Sequence, residues 1–173
     1  MARGIQNHGY GSLTSMFALM TMLMIYAAML LPAQWATLLL FAAGLFVAPL
    51  VMEREWGKAC IVYVCGALFA LLCGGFACTA PYVLFAGWYG IVKFLLTEMK
   101  DGLLRWLLKL LLFHLAIGLM AWLAPDPLLT AWTSRLSVWW LIPIAEASFL
   151  LFDLALTGFA TFYREVLRDF LLK

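Results

Sequence analysis

Two carboxylates stand seven residues apart in the apolar run "EASFLLFDLALTG", which covers residues 146–158. On an α-helix, at about 100° per residue, Glu146 and Asp153 point within roughly 20° of each other and lie about 10 Å apart along the axis. A carboxylate among apolar side chains has to be paired, protonated or in contact with water or a ligand. The spacing therefore predicts a polar stripe on one helix, and we expect that stripe to face the protein interior.

Lys93, in the run "GWYGIVKFLL", is the obvious partner for Asp153. Both residues are expected to lie inside apolar helices, at depths that an extended lysine side chain can bridge. The sequence therefore predicts a buried Lys93–Asp153 ion pair. The alternative is that the Lys93 side chain extends along its helix so that its ammonium reaches the lipid headgroups.

Glu146 has no intramembrane cation expected at its own depth. Arg135, in the preceding loop, could fold down onto it; otherwise Glu146 is protonated or contacts a cationic or hydrogen-bonding ligand. His114, in "LLLFHLAIG", is the other strongly polar residue expected near the middle of the membrane. It is either a packed hydrogen-bond donor or part of a proton relay.

No metal site, cofactor site or catalytic centre is expected. Cys60, Cys65, Cys73 and Cys78 all fall on one predicted helix, and their spacing matches no metal-binding motif. The acidic pair on the last helix is too far apart to act on one reacting atom, and no serine has a usable histidine. We therefore expect a protein that is not an enzyme.

The composition predicts an integral membrane protein. Hydrophobic residues make up 66% of the 173 positions and charged residues 12%, and the mean hydropathy is +1.02. A soluble domain of this length needs more polar surface than that. Because a helix needs about 20 apolar residues to cross the hydrocarbon core, breaks in the pattern predict an all-α bundle of six transmembrane helices in a single domain, residues 1–173. Their expected ranges are 14–32, 34–52, 58–79, 81–98, 104–124 and 138–162.

The basic residues predict the orientation in the cell membrane. Eight of them fall at the N-terminus, in the second and fourth loops or in the C-terminal tail: Arg3, Arg54, Lys58, Lys100, Arg105, Arg164, Arg168 and Lys173. By the positive-inside rule both termini are cytoplasmic, which requires an even number of spans. The net charge of +2 therefore fits a face near acidic lipid and does not indicate a nucleic-acid partner.

Aromatic residues mark both membrane surfaces. The third outer loop, "PDPLLTAWTSRLS", brings Trp132 and Arg135 towards Trp139 and Trp140 at the start of the last helix. These residues form either an interfacial aromatic belt or a lid over an outward-facing ligand pocket. At the inner surface, the run "TEMKDGLLRWLLKLL" places Arg105 and Lys109 on one helical face, which predicts interfacial anchoring or a docking surface.

The whole pattern resembles a known transporter family. Six helices in a short chain, a Trp-rich loop before the last helix and polar residues on that helix resemble the substrate-binding S component of an energy-coupling factor (ECF) vitamin transporter. The runs "PYVLFAGWYGIVKFLLTEMKDGLLRWLLKLLLFHLA" and "FLLFDLAL" also resemble small, uncharacterised membrane proteins of Gram-positive bacteria.

The resemblance implies a small-molecule pocket near the outer face and a bacterial uptake system. By position, the residues implied to line the pocket are Tyr82, Trp88, Tyr89, His114, Trp132, Arg135, Trp139, Trp140 and Glu146. It also implies two kinds of partner, a membrane-embedded T component and two ATPase subunits, since this chain has no phosphate-binding loop. The competing hypothesis is a non-transport scaffold or regulatory protein whose polar stripe is fully satisfied internally.

Overall fold

The computed structural model describes residues 3–123 and 138–168, and these residues form helices without a strand. The predicted all-α class is therefore confirmed for this part of the chain. The helices are α1 (Arg3–Met29), α2 (Ala33–Leu45), α3 (Ala48–Met52), α4 (Trp56–Pro81), α5 (Gly87–Thr97), α6 (Gly102–Leu123) and α7 (Val138–Phe162). Two π-helical turns, Tyr82–Ala86 and Tyr163–Leu167, follow α4 and α7 directly.

Four helical stretches of the described chain are long and apolar enough to cross a membrane. They are Trp35–Met52, Trp56–Thr97, Gly102–Leu123 and Ile142–Leu167. A shorter apolar helical segment, Leu13–Met29, precedes them. Length and composition thus identify four candidate spans where the sequence predicted six.

The longest stretch, Trp56–Thr97, folds back on itself at Gly75. This glycine has φ 69° and ψ 169°, a backbone conformation that residues with a Cβ atom rarely adopt. The Tyr63 hydroxyl donates a hydrogen bond to the Val83 carbonyl at 3.0 Å. In a straight helix these residues would be about 30 Å apart, so the segments on either side of Gly75 run antiparallel.

The predicted position of this turn, around Thr79–Pro81, is wrong. Residues 76–81 are helical, and the reversal occurs at the Gly74–Gly75 pair instead. Pro81 does not end the helix. The wider π-helical turn Tyr82–Ala86 follows it directly. Pro81 has no backbone N–H, so the regular hydrogen bonding of the helix is already interrupted at this point.

The π-helical turn lies at the centre of the bundle against α2. A Cβ atom placed on Gly44 would overlap the carbonyl group of Ala86, so only glycine allows α2 to approach this closely. Tyr82 and Phe85 of the turn are fully buried. The turn thus fixes α5 to the interior, and α5 carries the polar residues described below.

The helices differ in how far the protein covers them. Within the apolar windows, 44% of Trp35–Met52 is buried, compared with 17% of Gly102–Leu123 and 22% of Ile142–Leu167. Helices α6 and α7 therefore lie at the periphery. Most of their apolar side chains face the surroundings, as expected for helices in contact with lipid.

One end of the bundle carries several basic side chains. We call it the basic end and define it by Arg54, Arg105, Arg164 and Arg168, which line two neighbouring cavities there. Helices α3 and α5 finish at this end, and α4 and α6 begin at it. The end at which Gly75 lies and α7 begins is called the opposite end.

Candidate functional site

Three charged side chains from three helices meet inside the bundle. Lys93 of α5 and Lys109 of α6 both contact Asp153 of α7, with Nζ to Oδ1 distances of 3.0 Å and 3.1 Å. Lys109 also lies 3.1 Å from Asp153 Oδ2, so it holds both carboxylate oxygens. The exposed fractions of Lys93, Lys109 and Asp153 are 4%, 6% and 7%. We call these three residues the triad.

Neighbours one helical turn away add hydrogen bonds to Asp153 and Lys93 of the triad. The Tyr89 hydroxyl, four residues before Lys93 on α5, donates to Asp153 Oδ1 at 2.7 Å. Lys93 Nζ donates to the Asp153 carbonyl and, at 2.7 Å, to the Thr157 hydroxyl. Since residues four apart share a helical face, α5 and α7 each contribute two groups to one site.

Of the predicted residues, the structure brings Lys93 and Asp153 together and places the Lys93 ammonium inside the bundle. The expectation that Lys109 anchors its helix at the interface beside Arg105 is wrong, because Lys109 is buried on Asp153. The sequence contains a signal for the burial of Lys109. Lys109 stands within the run "LLKLLL", seven residues into α6, at a depth from the basic end comparable to that of Lys93.

A cavity of about 360 Å³ leads from the basic end to the triad. Its wall includes all three triad residues together with Arg105, Arg164 and Thr157. A second cavity of about 290 Å³ lies beside it, where Arg168 Nε is 2.9 Å from Glu53 Oε1. The triad is thus buried between helices but lines a cavity that also includes arginines of the basic end.

A second polar group lies between α6 and α7 nearer the opposite end. His114 Nε2 is 3.9 Å from Glu146 Oε1, with side-chain exposed fractions of 53% and 48%. His114 Nδ1 lies 2.8 Å from the Leu110 carbonyl, which can only accept, so Nδ1 carries the hydrogen and Nε2 is the atom facing the carboxylate. Glu146 therefore has a polar neighbour at its own depth, and this neighbour is the histidine that the sequence places near the middle of the membrane.

The polar stripe of α7 is only partly interior. Asp153 is buried as expected, but the expectation that Glu146 also faces the interior is wrong. The two carboxylates differ in exposure because α5 packs over Asp153, where it supplies Lys93 and Tyr89. Among the residues that the structure describes, His114 is the one basic side chain within 4 Å of the Glu146 carboxylate.

The aromatic residues predicted to line a ligand pocket divide into three groups. Tyr82 and Tyr89 are fully buried in the core, so they do not line an open pocket; the Tyr82 hydroxyl packs against Gly66. Trp88 is half-buried and its Nε1 donates to the Leu84 carbonyl at 2.7 Å. Trp139 and Trp140 are exposed at the start of α7. Trp132 and Arg135 lie outside the described residues.

Aromatic rings separate the two polar groups. Phe113 and Phe149 stack with ring centroids 4.6 Å apart, and Phe85 stacks on Tyr89 at 4.7 Å. Phe152 contacts both Phe85 and Tyr89. Phe149 and Phe152 stand between Glu146 and Asp153 along α7, and Phe113 stands between Lys109 and His114 along α6. We call these five rings the aromatic layer.

Within residues 3–123 and 138–168, His, Cys, Asp and Glu side chains do not cluster in groups of three or more that could hold a metal ion. The four cysteines are free thiols. Comparisons of the chain with protein-family models, with curated proteins and with solved structures find no match.

Proposed function

We propose that this chain is a multi-pass integral membrane protein with six spans and both termini in the cytoplasm. The reversal at Gly75 supports two antiparallel passes within Trp56–Thr97, and the apolar segment Leu13–Met29 supplies a further candidate. The arginines at the basic end favour a cytoplasmic location for that end. The Glu146–His114 group then lies nearer the outer surface.

Within this arrangement the proposed role is that of a substrate-binding subunit for small-molecule uptake, comparable to the S component of an ECF transporter. The observation that carries the proposal is the half-exposed Glu146–His114 pair in an apolar helical surface. A charged or polar pair exposed at membrane depth is unfavourable unless a ligand, water or another protein contacts it.

The chemistry of the pair limits the ligand class. The Glu146 carboxylate accepts hydrogen bonds or pairs with a cation, and His114 Nε2 can accept from or, when protonated, donate to the same ligand. Trp139 and Trp140, exposed one to two turns before Glu146, add flat aromatic surface. A small, flat or cationic compound fits these groups. Uptake would also require a T component and two ATPase subunits as partners.

A scaffold or regulatory membrane protein is the second candidate. The observation that favours it is the triad, where the carboxylate of Asp153 is paired with this chain's own lysines and needs no external cation. The two functions differ in what they require of Glu146. A binding subunit uses it to hold a small molecule, whereas a scaffold would cover it with another protein.

Native mass spectrometry of the protein gently purified from its host distinguishes these functions. A binding subunit is expected to carry a small molecule, with or without associated T and ATPase subunits, and Glu146→Gln should remove that molecule. Ser148→Ala is the matched control, because Ser148 is exposed two residues away and its hydroxyl donates to the Ile144 carbonyl of its own helix. A protein that carries only lipid, or a ligand that survives Glu146→Gln, would contradict the binding-subunit proposal.

A further inference from the structure

The cavity at the basic end has an excess of positive charge. Four cations line it, Lys93, Lys109, Arg105 and Arg164, and Asp153 is its only carboxylate among the described residues. The lining therefore carries a surplus of three formal positive charges. In a cleft with apolar walls such a surplus concentrates anions far more strongly than the same charges spread over a surface.

The triad itself contributes one unit of that surplus. All three N–H donors of Lys93 have acceptors: Asp153 Oδ1, the Asp153 carbonyl and the Thr157 hydroxyl. Lys109 has two, which are the two oxygens of the same carboxylate. Because two ammonium groups share one carboxylate, the buried site is left positive, and Lys109 keeps an N–H for a further acceptor at the cavity wall.

Two arginines, Arg105 and Arg164, lie at the mouth of the cavity. Within residues 3–123 and 138–168, neither Arg105 nor Arg164 forms an ion pair, although Arg168 nearby binds Glu53 and Lys58 binds Glu55. Guanidinium groups are the side chains best matched to phosphate oxygens, which they can bind in a bidentate manner. Trp106, whose ring lies 5.0 Å from Lys109 Nζ, forms the apolar side of the same mouth.

From these contacts we infer that the cavity at the basic end binds a phosphate-bearing anion. Its phosphate oxygens accept hydrogen bonds from Arg105 and Arg164 at the mouth and from Lys109 at the inner wall, and Thr157 lies beside the site. The anion balances the charge that Asp153 leaves unmatched. Lipid headgroups and soluble phosphate share this chemistry, and a basic pocket between helices at a membrane surface is a known type of headgroup site.

This site is separate from the proposed function. It lies at the other end of the bundle from Glu146 and on the far side of the aromatic layer. It requires neither the uptake of a small molecule nor an ATPase partner. A failure of the experiment on Glu146 would therefore leave this inference intact, and the reverse also holds.

The test is a binding titration of the full-length protein, purified in a phosphate-free buffer and in a neutral detergent with its lipids removed. Three probes distinguish the sources: inorganic phosphate, a short-chain phosphatidate, and the diacylglycerol with the same acyl chains. The wild-type protein is expected to bind one or both phosphate-bearing probes and to prefer phosphatidate over diacylglycerol. Arg105→Gln and Arg164→Gln should each weaken that binding about tenfold or more, as expected for loss of a charged hydrogen bond.

Lys100→Gln is the matched control, since Lys100 is an exposed cation near the same end that does not line the cavity. It should change the dissociation constants less than about threefold. If the arginine variants weaken the binding of phosphatidate alone, the site is assigned to a lipid headgroup. If they weaken the binding of inorganic phosphate, it is assigned to a soluble anion. The inference is overturned if the wild type binds neither phosphate-bearing probe, if the arginine variants bind as the wild type does, or if Lys100→Gln weakens binding equally.

Discussion

The triad and the Glu146–His114 pair both join α6 to α7, but their surroundings are opposite. Asp153 and Glu146 lie on the same side of α7, and each faces a cationic or protonatable side chain of α6. At Asp153 a third helix, α5, lies against the contact and adds Lys93 and Tyr89. At Glu146 no hydrogen bond from α5 joins the contact among the described residues. The third helix, and not the type of residue, turns an interhelical contact into a buried site.

The rotation of α6 contributes to the same difference. Lys109 and His114 are five residues apart, which corresponds to about 140° around the helix. When Lys109 faces the interior, His114 must therefore turn towards the surface. Since α7 keeps both carboxylates on one side, the rotation of α6 and the coverage by α5 together separate the buried charge from the exposed one.

The largest expected effect comes from removing the carboxylate of the triad. Asp153→Leu leaves two buried ammonium groups without a counter-charge, so the free energy of unfolding in detergent should fall by about 3–5 kcal/mol. Glu146→Leu should change it by no more than about 1 kcal/mol, because the pair is half-exposed. Reversible unfolding in denaturing detergent measures both. Equal losses for the two variants would remove the distinction between the sites.

The separation of the two groups depends on the aromatic layer. Phe149→Ala removes a fully buried ring that stacks on Phe113, so we expect a loss of about 3 kcal/mol in the same unfolding measurement. Leu151→Ala, on the exposed side of α7, is the control and should cost less than about 1 kcal/mol. A Phe149 variant as stable as the Leu151 variant would show that the layer is not close-packed.

A charge-balancing series tests whether the site is a pair or a triad. In Lys93→Met/Asp153→Leu, Lys109 stays buried without its carboxylate, so the double variant should remain unstable. Adding Lys109→Met should recover roughly 2 kcal/mol, because an uncompensated buried charge is removed. If the double variant is already as stable as the triple variant, Lys109 is not an energetic member of the site.

The smallest effect is expected at the exposed pair. His114→Leu should shift the free energy of unfolding by less than about 1 kcal/mol, since the Nε2 to Oε1 distance is long and both side chains are half-exposed. A double-mutant cycle of His114→Leu with Glu146→Gln measures their coupling, which we expect to be below about 0.5 kcal/mol. A coupling as large as that between Lys109 and Asp153 would contradict the contrast between the sites.

Sequence reasoning predicts depth along a helix well and rotation between helices poorly. Lys93 and Asp153 could be paired because both positions can be counted from the same membrane surface. The role of Lys109 was missed since its spacing to Arg105 suggested one interfacial face, although its depth already matched that of Lys93. The contact of His114 with Glu146 depends on how α6 turns against α7, which periodicity along one helix does not determine.

The turn in the middle of the chain shows a second limit. Pro81 is a strong local signal for a helix boundary, and the prediction placed the reversal there. The structure instead uses the flexibility of Gly75 for the reversal and accommodates Pro81 next to a π-helical turn. Whether the chain reverses at the glycine or at the proline depends on packing between residues that are distant in the chain. Here the relevant contact is the close approach of Gly44 to Ala86.

The aromatic layer has a consequence for the movement of water and protons inside the bundle. A cavity lined by the three charged residues of the triad lies on one side of the layer, and the Glu146–His114 pair lies on the other. A continuous chain of water between them would let protons hop from one polar group to the other. The stacked rings of Phe113 and Phe149 offer no hydrogen-bonding group to such a chain of water. The layer therefore separates the charges of the triad from the Glu146–His114 pair by rings that cannot relay a proton.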